Sequence, residues 1–172
     1  FLDLPGFGTE SHRRSPTNVY QIVEDTRDRW TNIKKNVGGP WGLMTISLGG
    51  MVGLEWCAKY PDDFQRHVLI NTSARNLGHV FKRLRLASLR KLVKAALQTD
   101  LVERERTILG MTTKLIHNPE KIAKRWAEYV EENPFSFTDF AKQLFAAAKF
   151  ESPQYVATPS FILASEKDEL AH

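Results

Sequence analysis

Pro40-Trp41-Gly42-Leu43-Met44-Thr45-Ile46-Ser47-Leu48-Gly49-Gly50-Met51-Val52-Gly53-Leu54-Glu55-Trp56-Cys57-Ala58-Lys59-Tyr60-Pro61 reads as strand, corner and helix. Trp41 to Ile46 is a short apolar run bounded by Gly and Pro, the pattern of an interior strand in a parallel sheet. From Met51 to Tyr60 only Glu55 and Lys59 are charged, so the predicted helix is too apolar for a surface position and belongs against a sheet. Ser47 then sits at the carboxyl edge of the sheet and at a helix N-terminus. Gly49 and Gly50 permit the turn.

These residues carry a resemblance. Thr45-Ile46-Ser47-Leu48-Gly49-Gly50 resembles the nucleophile elbow, Gly-x-Ser-x-Gly, of the α/β-hydrolase superfamily. Thr45 stands where that motif has its first Gly, a position that favours a small side chain because the corner packs closely. A serine hydroxyl is a poor nucleophile at neutral pH unless a histidine takes its proton and a carboxylate orients that histidine. The resemblance implies Ser47 as nucleophile and the backbone N–H of Leu48 as an oxyanion donor.

Upstream, Phe1-Leu2-Asp3-Leu4-Pro5-Gly6-Phe7-Gly8-Thr9-Glu10-Ser11 is similar to the Asp-x-Pro-Gly-x-Gly-x-Ser segment that follows the fourth strand of α/β hydrolases, with Phe1 in mid-strand. From the residues alone it is a rigid loop, with Pro5 fixing φ and two glycines allowing the turn. Asp-Leu-Pro-Gly also resembles the magnesium-water loop of P-loop GTPases, and Ser165-Glu166-Lys167-Asp168 faintly resembles their guanine-reading Lys-x-Asp. The separation of roughly one and a half hundred residues is too long for a compact nucleotide-binding sheet, which leaves this a remote alternative. Thr17 to Val37 carries Tyr20, Ile22, Val23, Trp30 and Ile33 on a predicted amphipathic helix capped by Thr17 or Asn18. Gly38-Gly39-Pro40 ends it.

Downstream of the elbow, His67-Val68-Leu69-Ile70-Asn71 is a second parallel strand by its length and β-branched content. Strand, helix and strand make a βαβ unit with a right-handed crossover. His67 opens this strand and is read as structural. Asn71 to Ala74 supplies no acid, so a triad carboxylate has to come from elsewhere.

Residues 75–152 differ in character, with 15 Lys or Arg against 9 Asp or Glu. Val80, Leu84, Leu89, Leu92, Val93, Ala96 and Leu97 form an apolar helical stripe, with Lys82, Arg83, Arg85, Arg90, Lys91 and Lys94 largely off it. Further helices open at Thr99 or Asp100, at Asn118-Pro119-Glu120, and at Ser136 or Thr138. An all-helical insert here resembles the cap of α/β hydrolases, which roofs the serine and excludes water. His79 and His117 fall in it and are read as cap residues. Acidic residues interrupt the basic ones and no aromatic platform accompanies them, so a solvated face, not a nucleic-acid surface, is expected.

Pro159 to Ser165 returns to the sheet as a strand, with Pro at its start where a missing N–H costs least. The resemblance implies Asp168, in the loop after it, as the acid that orients the catalytic histidine. Ser165 stands where the family usually has Gly, and Glu166 and Glu169 are competitors. The family order is Ser, acid, His, so the base is expected beyond residue 172, with His172 belonging to the acid loop.

The whole is 172 residues with 42% hydrophobic content, a net charge of +4 and one cysteine. That suits one globular core without a disulfide framework, and Cys57 is read as core. No run reaches membrane-spanning length and the start lacks a signal pattern, which points to the cytoplasm. The resulting expectation is an incomplete α/β-hydrolase sheet of about four strands. Residues 1–74 and 153–172 form the core and 75–152 the cap, and a small acyl substrate is the partner. No cofactor, metal, nucleic acid or stable membrane insertion is expected. These residues alone are expected to be poorly stable and inert as a hydrolase. A non-catalytic ligand-binding protein on the same fold is the alternative.

Overall fold

The computed structural model describes residues 1–78, 83, 86–113, 115–166 and 168. Expectations placed on His79, Val80, Lys82, Leu84, Arg85, Lys167, Glu169 and His172 lie outside the described residues. Three strands, β1 (Gly42–Ile46), β2 (Arg66–Ile70) and β3 (Ser160–Leu163), form a parallel sheet in the order β1-β2-β3. The register runs Ile46 to Ile70 and Ile70 to Leu163, so all three carboxyl ends share one edge. Of the four strands expected, the one at Phe1–Leu4 is the difference. These residues pair with no strand and carry no ladder bonds among the described residues, and a strand exists only by its pairing.

Helix α1 (Val19–Lys34) and helix α2 (Leu48–Lys59) pack together, and α2 lies on β1 and β2. Asn18 is the cap of α1, its side chain accepting from the Gln21 N–H at 2.8 Å. The buried stripe is Val19, Ile22, Val23, Thr26 and Trp30, while Tyr20 and Ile33 are exposed. Tyr20 sits to one side of the stripe, where a Tyr can keep its hydroxyl wet, whereas Ile33, seven residues after Thr26, continues the stripe in the last turn. Helix α2 buries Met51, Val52, Trp56 and Cys57, as its uniformly apolar sequence requires.

The core centres on an aromatic cluster. Trp56 meets Trp30 edge-on at 5.7 Å and Phe64 at 5.1 Å. Trp56 Nε1 donates to Asp63 Oδ2 at 2.8 Å, and Arg27 Nε and Nη2 reach the same carboxylate at 2.6 and 3.2 Å. Burial alone would raise the Asp63 pKa. The Arg27 and Trp56 hydrogen bonds outweigh it and hold the group ionised below its ordinary value.

Among the described residues, the helices between β2 and β3 include α3 (Leu86–Ala96), α4 (Leu101–Thr112), α5 (Pro119–Glu132) and α6 (Phe137–Lys149). Asp100, Asn118 and Ser136 cap the last three, each accepting from the N–H three residues on. Asp139 anchors this segment to the N-terminal part of the chain. Its carboxylate accepts from the Ser15 N–H at 2.9 Å and the Ser136 hydroxyl at 2.6 Å, with Arg14 and Lys142 adding charge. Burial pushes the Asp139 pKa up, but these donors win and bring it down to about 2.

Candidate active site

Ser47 follows β1 directly and caps α2. Its φ of 54° and ψ of −120° place a residue with a Cβ in a region that costs roughly 1–3 kcal/mol to hold. The surroundings over-determine it. The Ser47 N–H extends the ladder to the Ile70 carbonyl at 3.0 Å, and its own carbonyl accepts from the Gly50 N–H at 2.9 Å and the Thr72 hydroxyl at 2.8 Å. The side chain makes no capping bond and is exposed. Leu48 opens the first turn of α2, where N–H groups lack intrahelical acceptors and carry the positive end of the dipole.

Of the two glycines at the turn, packing requires only the second. A Cβ on Gly50 would lie 2.7 Å from Thr72 Cβ and 3.1 Å from Leu69 Cδ1, whereas one on Gly49 meets nothing within 4 Å. The threonine at the motif's first position is housed by two residues that the strand-corner-helix pattern does not single out. Thr45 Oγ1 lies 2.7 Å from His67 Nε2 and 3.3 Å from the Val68 carbonyl. A Cβ on Gly53 would stand 2.6 Å from His67 Nε2 and 2.9 Å from Thr45 Cγ2. A glycine inside a buried helix costs about 1 kcal/mol against alanine, so Gly53 is itself the signal of a close approach.

His67 is 1% exposed, and its Nδ1 has no partner among the described residues. Burial lowers its pKa. The arrangement that satisfies most groups has the Thr45 hydroxyl donating to the Val68 carbonyl and accepting from a neutral His67 Nε2–H. The ring is thus occupied beneath α2, as a structural histidine. His12 and His117 are exposed, and no hydrogen bond joins a histidine to Ser47 Oγ among the described residues.

The loops after β2 and β3 are tied together at the same edge. Asn71, at φ 44°, donates its N–H to the Leu163 carbonyl at 2.9 Å, and its side chain accepts from the Ser165 N–H at 2.8 Å. Asp168 is half-buried, three residues past that tie, while Glu166 is exposed. Two strand spacings, about 10 Å, separate the carboxyl ends of β1 and β3. Ser47 and the Asp168 loop therefore share a sheet edge without being adjacent strands' ends. Asn71 and Thr72 are supporting residues missed in the sequence; an Asn just past a strand is the available hint, since Asn tolerates the left-handed region.

Cys57 is fully buried, and desolvation pushes its thiol up to about 11, which leaves no thiolate at neutral pH. Asp3 is committed to its own loop, accepting from the Thr9 N–H and hydroxyl at 2.9 and 3.0 Å. Gly6 and Gly8 adopt φ of 91° and 53° there, the rigid turn expected of that segment. Among the described residues no group of three or more His, Cys, Asp or Glu is placed to hold a metal ion, and no helix is long and apolar enough to cross a membrane.

Comparison with known proteins agrees with this geometry. A hydrolase from Pseudomonas aeruginosa PA01 superposes with a TM-score of 0.65 at 19% identity, covering 95% of this chain and 59% of its own. The enol-lactonase from Burkholderia xenovorans LB400 superposes with a TM-score of 0.60 at 17% identity, covering 94% of this chain and 60% of its own. At such identities the likeness is one of fold, and this chain spans about three fifths of the length of either structure. Among curated proteins none matches the sequence. The model of one family, described as serine aminopeptidase, S33, matches residues 1–172. The GTPase alternative finds no support in fold or family. The chain is an incomplete α/β-hydrolase fold and belongs to the serine aminopeptidase S33 family of hydrolases.

Proposed function

We propose that the protein containing this chain cleaves an ester, or a related acyl or carbon–carbon bond, through an acyl-enzyme at Ser47. The observation that carries this reading is Ser47 itself. A non-glycine residue is held at φ 54° on the corner between β1 and α2, with its side chain exposed and uncommitted to capping. A backbone strained in this way is retained where presenting the side chain matters. The Ser47 hydroxyl attacks the acyl carbon as a histidine takes its proton. The Leu48 N–H, at the positive end of α2, meets the charge that develops on the carbonyl oxygen. Asp168 orients the histidine, which lies outside the described residues, and residues 75–152 act as the cap over the acyl pocket.

The test is a fluorophosphonate probe on the full-length protein, followed by peptide mass spectrometry. Covalent labelling of Ser47, lost in Ser47→Ala, is expected, together with turnover of a short aryl ester. An intact fold that takes no label at Ser47 would overturn the enzyme and favour a non-catalytic ligand-binding protein.

A further inference from the structure

A cavity of about 220 Å³ lies among α3, α4, α5 and the turn at Phe135, and neither Ser47, Leu48 nor Asp168 lines it. Its wall is largely apolar, with Leu92, Ile108, Val130 and Phe140 contributing, and it exceeds the roughly 150 Å³ in which an apolar cavity binds benzene. One group on this wall is of another kind. Arg104 is 7% exposed; its Nε donates to Glu105 Oε1 at 2.9 Å, and its guanidinium stands 5.1 Å over the Phe135 ring. The Arg104 Nη2 is buried and has no hydrogen-bond partner among the described residues. A buried donor on a charged group left unpaired is costly, and a ligand acceptor relieves it.

The charge balance selects the ligand. Glu105, 5% exposed and also on the cavity wall, already neutralises Arg104. An anion entering here would bring an extra buried negative charge beside a carboxylate, whereas a carbonyl oxygen accepts the free N–H without adding charge. We propose that this cavity binds a small, uncharged, mainly apolar molecule whose one carbonyl oxygen accepts a hydrogen bond from Arg104 Nη2. The site is independent of Ser47 and stands or falls apart from the hydrolytic reading.

The experiment is a fluorine NMR titration of the full-length protein with three probes of similar size. They are 4-fluoroacetophenone, its carbonyl-free isostere 4-fluoro-α-methylstyrene, and 4-fluorobenzoate. The ketone is expected to saturate a site and to bind roughly tenfold or more tightly than the alkene, the worth of a hydrogen bond to a charged donor. Benzoate is expected to bind more weakly than the ketone. Arg104→Met erases the ketone's advantage over the alkene, Ile108→Trp fills the cavity and abolishes both, and Ser47→Ala changes neither. Equal affinity for ketone and alkene overturns the proposal, as does tightest binding of benzoate, which makes the site an anion site. No saturation means that Arg104 is met by water alone and also overturns it. So does a ketone advantage that survives Arg104→Met or disappears in Ser47→Ala. If Arg104→Met fails to fold, a crystal structure of the wild-type protein with 4-bromoacetophenone decides. Bromine located by anomalous scattering within this cavity supports the proposal, and bromine elsewhere ends it.

Discussion

The two faces of the sheet carry similar side chains and have different surroundings. On one face Leu43, Thr45, His67 and Leu69 lie beneath α2 and the Trp30–Trp56–Phe64 cluster. On the other, Met44 and Ile46 of β1 and Phe161 and Leu163 of β3 flank the partly buried Val68 and Ile70 of β2 and are exposed at 68%, 60%, 62% and 43%. A sheet with one solvated face alternates apolar and polar residues, and these strands do not alternate. Their sequence is that of a sheet covered on both sides; the described residues cover β1 and β2 on one side, and on that same side Ile162 of β3 is 68% exposed. The lesson is that strand composition reports the packing a strand is suited to, not the packing its own chain supplies.

The strongest way to break this contrast is a pair of truncations, one on each face, compared by urea denaturation of the full-length protein. Trp56→Ala is expected to cost about 3–5 kcal/mol, as for other buried aromatic deletions. Met44→Ala is expected to cost at most about 0.5 kcal/mol, as at an exposed site. Similar losses at both positions would show that the open face is covered in solution.

The covered face can be probed more finely at its tightest point. Gly53→Ala should cost about 1–3 kcal/mol through overpacking against His67 and Thr45. Adding Thr45→Gly should recover part of the loss by removing one of the two neighbours. A double variant no better than Gly53→Ala alone would place the strain elsewhere. Thr45→Val keeps the shape but strands the His67 Nε2–H, for an expected loss of about 1–3 kcal/mol.

The remaining effects expected are in pH. His67 is buried with its pKa lowered, so the unfolded chain binds the extra proton. Its contribution is full above the unfolded value of about 6.5 and declines as pH falls below it. The urea midpoint should therefore drop between pH 7.5 and 5.5, and His67→Gln should flatten that drop. Asp139, brought down to about 2, contributes above its ordinary 3.8 and loses that contribution as pH falls toward 2. A midpoint that rises on acidification from neutral pH would contradict the His67 assignment.

Much of the fold was legible in the sequence because local rules and tertiary packing agree there. The apolar run ending at Ile46, the caps expected at Thr17 or Asn18, Thr99 or Asp100, Asn118, and Ser136 or Thr138, and the largely apolar character of α2 each signal one element, and each element is present. Other features depend on neighbours that come from distant parts of the chain. Tyr20 lies to the side of the buried stripe, because the position of α2 decides which side of α1 is covered, and Ile33 continues the stripe in the last turn of α1 yet is exposed. Phe1–Leu4 reads as strand yet pairs with nothing described.

At the candidate site the same division holds. The sequence by itself determined that a serine follows a buried strand and precedes a buried helix, since strand length, apolar content and the adjacent glycines are local properties. Only the tertiary structure decided that Gly50 and not Gly49 is required, that Thr45 is housed by His67 and Gly53, and that Asn71 ties the Asp168 loop to the edge bearing Ser47. Those outcomes depend on which atoms from separate segments fall within 3 Å of one another, and residue order constrains such distances only after the chain has folded.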